Sequence, residues 1–211
     1  MQYLQSLLMT ITAVFICLSF HEASHAFMAY KLGDNTAKNQ GRLTLNPMAH
    51  VDFLGLLALI FFHFGWAKPV PVNYRNLKNP KRDSILIALA GPVSNFLLAF
   101  MLYFLGYSIL CVAFNDFTVA MFQFLAFTAS ISIGLGIFNF IPIPPLDGSH
   151  IIVPFLPPKQ RLFLINNAQF IQFGLVLGLY FGFLTMPIYI LRNYISQGMI
   201  SVIENILFAF L

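Results

Sequence analysis

His21, Glu22 and His25 share one five-residue run, His21-Glu22-Ala23-Ser24-His25, inside an apolar stretch covering residues 4–30. Apart from the Cys17 thiol, no other group in that stretch titrates near neutral pH. A charge-capable side chain at bilayer depth is costly and needs a partner or a function. Imidazoles at i and i+4 on a helix stack on one face, close enough to bind one metal ion. Glu22 is turned about 100° from His21, placed to reach a water beside that metal rather than the metal itself. The plainer alternative, two histidines hydrogen-bonding between helices, leaves the carboxylate without a reason.

A catalytic metal of this kind takes three protein ligands and keeps a fourth position open for water. The third ligand is expected from the run Asn139-Phe140-Ile141-Pro142-Ile143-Pro144-Pro145-Leu146-Asp147-Gly148. Its prolines lack donors and stop a helix. Irregular backbone at membrane depth is tolerated only where it is buried in protein or lines a water-filled cavity. Asp147 follows that break, with Gly148 permitting an unusual backbone angle beside it. The alternative is that Asp147 merely caps the segment 148–154. The other carboxylates sit in loops, in the turn at Asp116, or near the C-terminus at Glu204.

The elements that must hold these groups are membrane helices. The chain is 59% apolar and 9% charged, far from soluble-domain usage, and its 25 phenylalanines suit surfaces facing acyl chains. Its 211 residues fit a single integral-membrane domain, 1–211, with a core over about 4–155 and C-terminal helices over 159–211. Apolar runs at 4–30, 84–114, 117–141 and 170–191 each reach the roughly 20 residues of a spanning helix. The expected fold is therefore an all-α membrane protein of about four spans. The shorter run 53–66 has basic residues on both sides (Lys31, Lys38, Arg42; Lys68, Arg75, Lys78, Lys81, Arg82), so it is expected to dip in and return. This threading puts ten of the eleven basic residues on the cytoplasmic side, with only Arg192 outside. The net charge of +4 is then topology, and no nucleic-acid partner is expected. Cys17 and Cys111 form no ribbon or C-x-x-C spacing. Without a basic n-region or a cleavage site, the first helix is expected to be retained. His21 lies on the order of 10–15 Å below the cytoplasmic surface at the 1.5 Å rise of a helix.

Three segments together resemble the site-2 protease family of intramembrane zinc metalloproteases: His21-Glu22-Ala23-Ser24-His25, Ala90-Gly91-Pro92-Val93-Ser94-Asn95, and Asn139 through Gly148. The run Gly41-Arg42-Leu43-Thr44-Leu45-Asn46-Pro47 looks like the short bacterial and archaeal type, without PDZ or CBS domains. The resemblance implies that His21, His25 and Asp147 are zinc ligands and Glu22 the general base. It implies that Asn95 holds the substrate backbone or the oxyanion. It also implies that the substrates are single-pass membrane proteins, such as an anti-sigma factor or another membrane-tethered regulator.

Further residues carry weaker readings. The alternation in Gly65-Trp66-Ala67-Lys68-Pro69-Val70-Pro71-Val72-Asn73 suggests a small hairpin or edge strand near the inner interface. Val70 and Val72 would pair there with an unwound substrate by strand addition; the alternative is an interfacial anchor through Trp66. Cys17 is read as a buried small residue, since a fourth protein ligand would close the catalytic position. His150 is read as a partner behind the ligands or as packing, His63 as packing or as lining the mouth of the site, and His50 as interfacial. Gly134 and Gly136 are expected to let helices pack closely. The stretch 195–211 is read as lying on the membrane or packing against a second copy in a homodimer. A metal transporter and a non-cutting, helix-binding scaffold are the competing functions. The first lacks the internal repeats such proteins show, and the second has no use for an intact Glu22.

Overall fold

A computed structural model describes residues 2–62 and 65–209. The 30-residue α1 (Gln2–Lys31) is followed by the short α2 (Thr36–Asn39), α3 (Phe53–Phe62), the 33-residue α4 (Pro80–Val112) and the 24-residue α5 (Asp116–Asn139). Then come α6 (Asp147–Ile152), α7 (Pro158–Asn166), α8 (Ala168–Tyr180) and α9 (Thr185–Phe208). Helices α1, α4 and α5 are long and apolar enough to cross a membrane, and α7 with α8, bent by 69°, makes a further candidate. The protein is a multi-pass, all-helical membrane protein.

α4 sits at the centre, against α1, α5, α6 and α9. Small residues allow the close approach: a Cβ on Gly136 of α5 would stand 3.1 Å from the Phe96 ring and 3.2 Å from the Pro92 carbonyl of α4. Ala99, Tyr103, Ala129, Ile133, Ile137 and Ile203 form the buried core between α4, α5 and α9. Asn115 caps α5 reciprocally with Thr118, which fixes where the chain turns back after α4.

On the two sides of α3 the chain comes back together, at residues 51–55 and 65–67. Gly55 and Gly65 are pressed together, and a Cβ on either would strike the other's neighbourhood. Val51 and Ala67 close the base as an antiparallel bridge. That single bridge is all that forms of the expected hairpin among the described residues, because Pro69 and Pro71 have no N–H to continue a ladder.

The fourth apolar run is corrected. Residues 170–191 do not make one span: the chain breaks between α8 and α9, where Gly182 takes φ 84°. At 24 residues α9 is about 36 Å long, enough to cross a bilayer by length. It packs along α4 and α5, Tyr103 donating to Ser196 Oγ at 3.3 Å. Arg192 is therefore inside the bundle beside Gly134, not on an outer flank.

The loop after α1 is ordered by Asp34, which is fully buried. Its carboxylate accepts from Thr36 N and Oγ1, from Asn73 N at 2.7 Å and from Asn76 Nδ2 at 2.8 Å. Arg42 donates to the Lys68 carbonyl, and Lys68 N–H donates to the His50 carbonyl. These bonds tie residues 67–76 across the end of α1 as a strap. His50 is corrected from interfacial to buried, its Nε2 bonded to Thr44 O at 2.8 Å inside the same loop.

Burial pushes the Asp34 carboxyl up, but its hydrogen bonds outweigh that and hold it below the ordinary 3.8. Its contribution to stability is complete above that value and is lost as pH falls through the lower folded value. Asp34→Ala should lower unfolding free energy in detergent by about 3 kcal/mol at pH 7. The gap to the parent protein should narrow only below pH about 4. Denaturant titrations across that range check it.

Candidate metal centre

The H-E-x-x-H turn falls midway along α1, where the helix faces α4. His21, Glu22 and His25 are all buried, at 4%, 8% and 7% exposure. The Nε2 atoms of the two histidines stand 3.0 Å apart. Asp147 Oδ2 lies 3.0 Å from His21 Nε2 and 3.3 Å from His25 Nε2. The carboxylate reaches this point because α5 ends at Asn139 and the prolines reverse the chain, so that α6 begins against the α5 terminus. Gly148 makes the close approach possible: a Cβ there would collide with the Phe140 and Ile141 carbonyls.

These three residues are the group of metal-capable side chains found among the described residues. Four-coordinate zinc with bonds of about 2.0–2.1 Å needs its ligand atoms about 3.3 Å apart, close to the spacing seen. Protonation agrees. His25 Nδ1 lies 2.7 Å from the Ile87 carbonyl, so it carries the hydrogen and Nε2 keeps its lone pair. Asn95 lies behind His21, with its amide 3.1 Å from Nδ1. Turned so that its oxygen accepts from Nδ1–H, it leaves the His21 Nε2 lone pair facing the other two ligand atoms. Asp147 Oδ2 is buried with no well-formed hydrogen bond among the described residues, although both imidazoles are within 3.3 Å. Three acceptors converging with no hydrogen between them fit a cation.

The surroundings hold this arrangement. Asn95 is fully buried, and Ser132 of α5 donates to its carbonyl at 2.8 Å, so one hydrogen-bonded chain runs through α5, α4 and α1. Gly91 leaves room for the rings: a Cβ there would collide with His25 Nε2 and lie 2.6 Å from His21 Cε1. Glu22 Oε2 accepts from the Val70 N–H of the strap at 3.0 Å. Val72 turns its side chain to Ala29, Leu77 and Ile87.

Two strap-side groups escaped sequence reasoning. Arg42 is 6% exposed; burial lowers its pKa, and the nearby Glu22 carboxylate raises it again. Tyr74 is close enough to feel Asp147: burial and that carboxylate both push its phenol up, keeping it a donor. Neither could be placed by local spacing, since the strap brings them in from 20 and 52 positions beyond Glu22. Cys17 donates to the Thr128 carbonyl at 3.5 Å and stands outside the ligand group. His150 is exposed, correcting its reading as a buried partner. His63 lies outside the described residues.

A sequence model described as peptidase family M50 matches residues 9–181, taking in all of the motif segments above. The chain belongs to peptidase family M50. It is a zinc metalloprotease of the site-2 protease type, as the motifs suggested. YwhC of Bacillus subtilis, named as a candidate zinc metalloprotease, is 37% identical over 199 residues, 92% of this chain and 89% of that one. Rip2 of Mycolicibacterium smegmatis, named likewise, is 33% identical over 174 residues, covering 80% of this chain and 65% of its own length. MJ0611 of Methanocaldococcus jannaschii, also so named, is 29% identical over 157 residues, 73% of this chain and 75% of that one. No solved structure matches the chain.

Asn95→Leu should weaken zinc binding about 10–100-fold, whereas Asn95→Asp, which still accepts from Nδ1–H, should keep most of it. Competitive chelator titration with the fold monitored by circular dichroism separates this from unfolding. Gly91→Ala should abolish stoichiometric zinc, because the added methyl displaces both rings; metal analysis of the purified protein reads it directly.

Proposed function

We propose that the protein hydrolyses peptide bonds within or beside transmembrane segments of other membrane proteins. In this reading the centre lies nearer the cytoplasmic face, where the basic loops gather. The observation that carries it is a second acidic group beside the ligand cluster: Glu22, held by one oxygen on a backbone N–H and left with the other free. His21, His25 and Asp147 hold zinc, which when bound supplies Lewis acidity toward water and the scissile carbonyl. Glu22 takes the proton of the attacking water and returns it to the leaving amide nitrogen. Val70 N–H keeps the Glu22 carboxylate aimed during both transfers. Asn95 acts through His21, fixing its ring and tautomer. A transporter or an inert scaffold gives no account of a carboxylate secured in this way.

The substrates that fit are single-pass proteins whose helix is locally unwound, including membrane-tethered regulators. The strap suits a backbone edge for such a segment, but a narrow one. Pro69 and Pro71 have no N–H, Val70 gives its own to Glu22, and Asn73 gives its own to Asp34. Val72 N–H and the carbonyls of residues 69–72 remain to pair with substrate, since the Lys68, Asn73 and Tyr74 carbonyls already accept.

Glu22→Gln should abolish cleavage of a reconstituted single-pass substrate while zinc stays bound. Val70→Pro removes only the N–H and should cost roughly 10–100-fold in kcat, the worth of a hydrogen bond to a charged group. Val70→Ala keeps the N–H and should leave kcat near the parent value. Equal activity of the proline and alanine variants would remove Val70 from the mechanism.

A further inference from the structure

Between α1, α3, α5 and α9 lies a cavity of about 490 Å³ whose wall is mostly apolar. Val14 and Leu18 of α1 line it, and its wall ends at Leu18, one helical turn before Glu22 on the same side of the helix. Gly55 and Trp66 bound it on the re-entrant side, Gly134 and Arg192 on the other. The Arg192 Cδ atom is 3.9 Å from where a Cβ on Gly134 would stand. Gly134 is two residues beyond Ser132, which bonds the asparagine behind His21. The stem of Arg192 is thus within about one helical turn, roughly 5 Å, of the metal centre in depth.

A guanidinium at that depth is costly without a partner, and Arg192, half-buried, has no carboxylate in salt-bridge reach among the described residues. Its Nε is buried without an acceptor. It lies 4.8 Å over the Tyr189 ring and reaches Asn193 Oδ1 only at 3.5 Å. Asp52, the acidic residue on the cavity wall, gives Oδ1 to Gly55 N–H. Asp147 is held at the histidines and Glu22 at the strap. Glu204 is twelve residues further along α9, about 18 Å away.

We propose that Arg192 is a specificity subsite for an acidic side chain of the substrate, so that segments carrying Asp or Glu near the cut are preferred. The proposal rests on the reading of the centre as a hydrolase of membrane segments. The cavity supplies apolar walls for the rest of the segment, and the planar fork of the guanidinium matches a carboxylate.

The test uses the full-length, zinc-loaded protein in phosphatidylcholine vesicles. The probes are single-pass host helices, identical except for one Glu moved through the cut region, each paired with its Gln twin. At one register the Glu form should be cleaved at least about tenfold faster in kcat/KM than its twin. Arg192→Gln should bring that ratio toward one, Arg192→Lys should keep part of it, and Arg192→Glu should favour a Lys host instead. Cleavage of the hosts with no Glu/Gln difference at any register would overturn the subsite alone. So would a ratio that survives Arg192→Gln. Failure to cut any host, with zinc bound, would overturn the hydrolase reading itself.

Discussion

Lipid offers no hydrogen-bonding partner, so each polar group at bilayer depth has to be answered by another part of the chain. His21, Glu22 and His25 impose that demand on one turn of α1, and much of the architecture follows from meeting it. α4 supplies the Ile87 carbonyl to His25 and the Asn95 amide to His21. α5 supplies Ser132 to Asn95, and then stops. Had α5 run on as a straight helix, the next residues would have carried Asp147 away along the bundle axis. Reversing the chain through Pro142 and Pro145 keeps that carboxylate at the level of the two imidazoles. The proline break is how a third metal-capable side chain arrives from another helix at the same depth.

Meeting these demands at short range requires backbone contact, and glycine appears where contact is closest. Gly91 puts the α4 backbone directly under the two rings, and Gly148 sets the first turn of α6 on the carbonyls ending α5. At both positions a methyl group would occupy space that a metal-sized site or its scaffold needs. Gly41 shows the contrast: it has positive φ and open space around it, so it serves only a turn.

Much of this was legible in the residues. The H-E-x-x-H run stands out because lipid selects against all three ionisable groups, and Asp147 stands out because three prolines precede it within four residues. The break between α8 and α9 did not show, since hydropathy sums side chains and is blind to a turn inside an apolar run such as Phe170 to Leu191. The same blindness put Arg192 on the outer side of the membrane, at the end of a fourth span that does not form. His50 and Arg42 were read as loop residues because nothing local says that a loop folds back on itself. Their partners, Thr44 O and Lys68 O, are backbone atoms, which leave no mark in a sequence.

The strap joins the two halves of the problem, since hydrolysis needs water and the bundle excludes it. Burial around the centre is graded. The imidazoles, set between α1 and α4, are the most enclosed, the Asp147 side chain is 18% exposed, and Tyr74 on the strap is 44% exposed. The more exposed side of the centre is therefore the strap side, where water would enter past groups tied to the loop by Asp34 and Arg42. The same segment meets that water with one N–H pointed inward at Glu22 and no donor at either flanking proline. A fuller strand here would offer more donors, and each would compete with Glu22 for the water and with the substrate for its carbonyls. Two prolines around a single amide leave the Glu22 carboxylate held by one bond, with its second oxygen free.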